Sequence, residues 1–143
     1  MSTSRRSLGA DLEECPCSGA TLARLVQPAI MTVLAGGPMH GYRIVQRLAK
    51  TADARAGRPD PTGVYRMLRL MEARGLVASS WDLSDSGPAK RRYRLTAGGR
   101  RCLRRWVATL SDYRRAVGRL LAAARRASAR RAARAAHRDK EGR

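Results

Sequence analysis

Three times along the first half of the chain, apolar residues recur at helical intervals, and then the period changes. Ile30, Met31, Val33 and Leu34 make the first cluster, and the Gly-Gly-Pro of 36–38 closes it. That pattern predicts a helix over about 28–35. Pro28 belongs in the first turn, because inside a longer helix its ring would clash with the turn before it. A separate short helix, capped by Thr21 and reaching Val26, is expected ahead of it. Ile44, Val45 and Leu48 predict a second helix over about 40–50, with Arg43, Gln46 and Arg47 on its other faces. Val64, Met67, Leu68 and Met71 predict a third over about 61–74: Asp60 is placed as its N-cap, Pro61 at its first position and Gly75 at its end.

Beyond Gly75 the runs "LVASSWDL" and "RRYRLT" are short and rich in strand formers. They are joined by "SDSGPAK", whose Asp, Ser, Gly and Pro suit a turn, so a two-stranded hairpin is expected. Thr96 can cap a last, long helix, although Gly98 and Gly99 weaken its first turn. Leu103, Trp106, Leu110, Tyr113, Val117, Leu120 and Ala124 then follow at alternating intervals of three and four. This is the spacing of a seam between helices. A domain this small has little core left to cover such a stripe, so a second copy of the chain is the expected partner. Past Ala124, Ala and Arg favour helix but supply no buried face, so the tail is expected to fray alone or to order on a polyanion. The expected organisation is an N-terminal arm over 1–20, a core domain over 21–96, a dimerisation helix over 97–125 and a basic tail over 126–143.

A chain of 143 residues holds one core and not two. Thirty Lys and Arg against 11 Asp and Glu give a formal charge of +19, an excess that seeks a polyanion. Nucleic acid is the first expectation, with an anionic membrane surface or an acidic protein as competitors. Eight basic residues and no acidic one fall between Lys90 and Arg105. No apolar run approaches the roughly 20 residues a membrane-spanning helix needs. The start of the chain carries no uninterrupted apolar signal segment, so a cytoplasmic protein is expected. Three cysteines, two of them in Cys15-Pro16-Cys17, do not form a secreted disulfide framework. The Cys15 and Cys17 thiols cannot easily bond to each other, but both can ligate a soft metal, and a dimer would bring four sulfurs together. A metal or redox role for this pair stands beside the reading that it is incidental. Cys102 is expected to be a small buried residue.

Three helices followed by a hairpin make a winged helix-turn-helix, a mainly α fold with a two-stranded β wing and, here, a long C-terminal dimerisation helix. In helix-turn-helix proteins the later helix lies in the major groove. With Val64, Met67, Leu68 and Met71 turned to the core, Thr62, Tyr65, Arg66 and Arg69 are the candidates for DNA contact. Arg suits a guanine edge and a phosphate equally, so the residue type does not divide those roles. Lys90, Arg91 and Arg92 follow the wing's turn, where they can release counterions from the backbone. Each has a plainer alternative: solvated helix residues for the arginines, half-buried packing for Tyr65. His40, at a helix start, is assigned a structural part.

At this point the residues carry a resemblance. "AIMTVLAGGPMHGYRIVQRL", "VYRMLRLMEARGLV" and "GPAKRRYRLTAGG", in that order, resemble the PadR family of transcriptional regulators over about residues 28–110. The resemblance implies a homodimeric DNA-binding repressor, released by a small molecule or another signal. It also implies that Tyr42 and Tyr65 lie at or near the DNA and that the helix after the wing makes the dimer. Gly63 departs from the Thr or Ser common in the family, and one long helix stands in place of a larger C-terminal domain. The cysteine arm and the Arg-rich tail lie outside the match.

The alternative from another class is an architectural protein that binds nucleic acid with little sequence preference through its basic tail. An enzyme is not expected: with two His and no Gly-rich phosphate loop, nothing assembles a reaction centre. No cofactor is required. If a flat apolar inducer exists, the expected place for it is near Trp81 and Trp106.

Overall fold

The computed structural model describes residues 25–51, 60–83 and 87–142. The expected arm with Cys15 and Cys17, the Thr21 cap and the tip of the wing at 84–86 lie outside the described residues.

Helix α1 spans Val26–Ala35, two residues ahead of the predicted start. Pro28 is its third residue, where the backbone N–H has no partner in the helix, so the ring costs no hydrogen bond. Strand β1, Met39–His40, leads directly into α2, Gly41–Thr51. Helix α3, Pro61–Ala73, begins as the sequence predicts: the Asp60 carboxylate accepts a hydrogen bond from the Thr62 N–H at 3.4 Å, and Pro61 follows it in the first turn. At its other end Gly75 takes φ +73°, in the left-handed region, and the chain closes on itself. The Gly75 N–H donates to the Glu72 carbonyl at 3.0 Å and the Leu76 N–H to the Met71 carbonyl at 2.9 Å. These two bonds satisfy carbonyls that a bare helix end would leave open.

Strands β2, Val77–Asp82, and β3, Lys90–Leu95, pair antiparallel from Val77 opposite Leu95 to Asp82 opposite Lys90. The predicted hairpin is therefore present, and β1 adds a third strand to it, with Met39 opposite Tyr93 and His40 opposite Arg92. Two residues are too few for alternation to announce a strand, which is why the sequence pattern misses β1.

The core is the meeting of one face from each element: Ile30 and Met31 of α1, Ile44 of α2, Val64, Leu68 and Met71 of α3, and Tyr93 and Leu95 of β3 are buried. Val33, Val45 and Met67, expected inside, are half-buried at the margins of their helix faces. Burial pushes the Tyr93 hydroxyl above its ordinary pKa, partly offset by the Arg91 charge.

Helix α4 spans Ala97–Glu141. Thr96 caps it as predicted, accepting from the Gly99 N–H at 3.0 Å, and also donates to the Gly75 carbonyl at 2.6 Å. The glycine that weakens this first turn has a purpose in packing. A Cβ on Gly99 would lie 2.0 Å from the Leu76 carbonyl oxygen and 2.9 Å from Leu95 Cδ2, so only glycine lets the helix start against that turn. The chain divides into two compact units, one reaching Leu103 and the other beginning at Arg104. In the second unit the helix does not stop near 125 or fray; it continues to Glu141, supported by Ala and Arg propensity and by an exposed His137–Glu141 contact at 3.1 Å. Among the described residues, no helix is long and apolar enough to cross a membrane.

Gly99→Ala is expected to lower unfolding stability by about 1–3 kcal/mol through overpacking against backbone that cannot yield. Gly118→Ala, inside α4 with open space around it, is expected to raise helix stability by about 1 kcal/mol. Urea unfolding followed by circular dichroism measures both, and equal shifts would refute the packing argument.

Candidate nucleic-acid interface

Because α3 commits Val64, Leu68 and Met71 to the core, its opposite side is settled by geometry. Thr62, Tyr65, Arg66 and Arg69 recur at intervals of three and four and fall together on that side, all exposed. Among the described residues, neither Arg66 nor Arg69 has a carboxylate within ion-pairing distance. Among the described residues, their guanidinium groups are thus open to an external acceptor.

Tyr65 sits at the edge of this stripe and is 37% exposed. Its ring lies against Gly41, the first residue of α2: a Cβ there would come 2.7 Å from Tyr65 Cε1 and 3.4 Å from Tyr93 Cε2. Gly41 is therefore the space that seats the Tyr65 ring between α2 and β3. The next residue, Tyr42, is 43% exposed and stacks on His40 with ring centroids 5.9 Å apart. Lys90 brings its Nζ to 5.3 Å from the Tyr42 centroid, a cation–π contact that ties the wing to the start of α2. His40 Nε2 lies 3.1 Å from Asp82 Oδ2, which supports the structural part assigned to His40.

The wing separates three residues that the sequence groups together. Side chains alternate along β3, so Arg91 shares a face with buried Tyr93 and Leu95, while Lys90, Arg92 and Arg94 point to the other. On its side Arg91 is engaged by the protein itself. Its Nε donates to Ser79 Oγ at 2.9 Å, its Nη2 lies 3.4 Å from Glu72 Oε2, and its guanidinium covers the Trp81 ring at 5.6 Å. Ser79 in turn donates to Glu72 Oε1 at 2.6 Å. This half-exposed network contributes modest stability, since surface ion pairs are screened by water. Its effect is positional, holding β2 and β3 to the last turn of α3. The sequence pattern marks neither Glu72 nor Ser79 as part of the site. Strand alternation across the hairpin, which places Ser79 opposite Tyr93, is the signal that could have found the pairing.

The predicted seam lies on α4. Leu103, in the first unit, is half-buried, and so is Cys102, whose Sγ receives a long contact from Gln27 Nε2 at 3.9 Å. In the second unit Trp106 and Leu110 are half-buried, whereas Tyr113, Val117 and Leu120 are exposed at 55%, 61% and 69%. These apolar side chains at seam spacing are thus open to water.

Comparison with known proteins places this geometry. Residues 30–105 match the model of the transcriptional regulator PadR-like family. Among solved structures, a PadR family transcriptional regulator from Eggerthella lenta is 34% identical, with 71% of this chain and 86% of that one covered and a TM-score of 0.57. A PadR-like transcriptional regulator from Bacillus cereus shares the fold at 20% identity, covering 71% and 95% with a TM-score of 0.61. Bacillus subtilis PadR, solved in complex with operator DNA, shares it at 23% identity over 59% of this chain and 46% of that one, with a TM-score of 0.52. No curated protein sequence matches.

Gly41→Ala is expected to displace the Tyr65 ring while leaving the core intact. Aromatic chemical shifts of Tyr65 should move with little change in unfolding midpoint; a large loss of stability with unmoved Tyr65 signals would contradict this seating.

Proposed function

The chain belongs to the PadR-like family of transcriptional regulators, which are not enzymes, and from this premise we propose a homodimeric repressor that reads an operator through α3. The observation that carries the reading is the α3 stripe of Thr62, Tyr65, Arg66 and Arg69, exposed opposite a fully buried face and with both arginines uncommitted among the described residues. Lys90 and Arg92, on the outer face of the wing, supply charge for the flanking phosphates. Tyr42, at the start of α2, completes the surface. Operator DNA in the Bacillus subtilis relative's structure supports the same ligand here.

The open seam supports dimerisation. Burying Tyr113, Val117 and Leu120 against a second copy removes apolar surface that one chain leaves in water. Two copies then present two α3 helices to major-groove faces about one helical turn apart on one side of the duplex. Polymerase is excluded from an overlapping promoter. A releasing signal acts by preferring one arrangement of the two halves, since a ligand shifts an equilibrium only by its differential affinity.

Selection of bound sequences from a random duplex pool, at a salt concentration of about 0.15 M where exposed charges are screened, tests the reading. Enrichment of an inverted repeat is expected; tight low-salt binding with no enrichment would leave an architectural protein in its place. Arg66→Ala and Arg69→Ala should each weaken operator binding by about 1–3 kcal/mol where the side chain meets a guanine edge. Val117→Glu should convert a sedimenting dimer to monomer, and an unchanged sedimentation coefficient would refute the seam.

A further inference from the structure

Continued past Ala124, the seam's own spacing falls on Ala127, Arg131, Arg134 and Arg138. The face that is apolar as far as Leu120 thus becomes cationic without leaving the same side of the helix. The helix is unbroken through the change, and every side chain from Ala123 to Glu141 is exposed. Between Arg125 and Arg138 there are six arginines and no acidic residue. Arg126, Arg130, Arg134 and Arg138 stand four apart, each about 6 Å further along the axis, and Arg131 lies beside them.

A second copy of the chain cannot cover this face. In a parallel pair it would meet its own arginines. In an antiparallel pair it would meet the start of α4, where Arg100, Arg101, Arg104 and Arg105 stand. Like charges oppose contact either way. A bilayer is excluded by the other side of the helix, where Ala129, Ala132, Ala133 and Ala136 offer no large apolar group to insert. A small phosphate compound is disfavoured because the surface is an open, convex helix side, with no enclosure to desolvate it. What remains is an extended polyanion, and guanidinium groups repeated along one line suit phosphates repeated along another.

We infer that the last helical segment, Arg125–Arg138, is a second nucleic-acid contact of this chain: a basic helix face that binds the phosphate backbone of duplex DNA without reading sequence. It lies beyond residues 30–105, where the family match ends, and uses none of the side chains assigned to operator reading. Its ligand is shared with the proposed repressor, but its evidence is separate. Because the seam changes from apolar to cationic at about Ala124, the same helix face that joins two copies also ends in a site that only an anion can complete.

The test compares the full chain with a variant carrying Arg130→Gln, Arg131→Gln, Arg134→Gln and Arg138→Gln, which keeps helix propensity while removing charge. The readout is the slope of log affinity against log salt on a random-sequence duplex. Removing one phosphate neutralisation lowers the magnitude of that slope by about 0.9, so a fall of about 2 to 4 is expected, equal on operator and random DNA. The four corresponding Arg→Lys changes should preserve the slope. An unchanged slope in the Gln variant, with its helix content intact by circular dichroism, would overturn the inference. So would an equal fall in the Lys variant, since that requires specific guanidinium geometry and not a backbone contact. Arg66→Ala with Arg69→Ala separates the two claims: it should abolish operator preference and leave most of the tail's slope. Absence of sequence preference in the selection experiment with the tail slope present would sink the repressor alone.

Discussion

Everything the proposed interface does depends on one face of α3 being held down. Val64, Leu68 and Met71 have no exposed surface, and they meet Ile30 and Met31 of α1 and Ile44 of α2 in a single core. Burying each such side chain is worth about 1.5–3 kcal/mol, more than enough to fix the rotation of a helix of 13 residues about its own axis. Once that rotation is fixed, Thr62, Arg66 and Arg69 have no freedom to choose a side. The cap at Asp60 and the left-handed turn at Gly75 then fix where the helix starts and where it stops. The proposed recognition stripe is thereby placed by packing, and its polar residues contribute no part of the work of holding themselves in place.

The wing is tied to α2 on one side and to the end of α3 on the other. Near the start of α2, Lys90 reaches the Tyr42 ring and Gly41 seats the Tyr65 ring. Near the end of α3, Glu72 and Ser79 hold Arg91. The strand's alternation divides the work: the face bearing Arg91 fastens the hairpin to α3, while the other face sets Lys90 against Tyr42 and leaves Arg92 exposed. A charge of +19 penalises a compact chain through self-repulsion, and the cost is contained because no charged side chain is buried among the described residues. Among the described residues the basic side chains lie at the surface, open to solvent.

Much of this was legible in the sequence, and the failures have physical causes. The faces of α1, α2 and α3 follow from apolar spacing, and the cap at Asp60 and the stop at Gly75 follow from residue type. The hairpin and the Thr96 cap were equally readable. Strand β1 was not, because two residues carry no period. Gly99 looked like a weakness because propensity is local, whereas its reason is the Leu76 carbonyl, far back along the chain on the other side of the hairpin. Arg91 looked like its neighbours because a run of basic residues hides alternation until a pairing partner is known. That the helix continues to Glu141 is not marked by the apolar stripe, which fades near Ala124, because continuation needs only favourable propensity.

The central claim is that the exposed side of α3 lies in the major groove, and methylation interference at guanine N7 tests it most directly. That atom faces the major groove and no other. With the selected site as probe, methylation of one or more guanines in each half-site should block binding by the unaltered chain. Arg66→Ala or Arg69→Ala should erase the block at one of those guanines while sparing the others. Binding indifferent to N7 methylation throughout both half-sites would contradict the placement of α3.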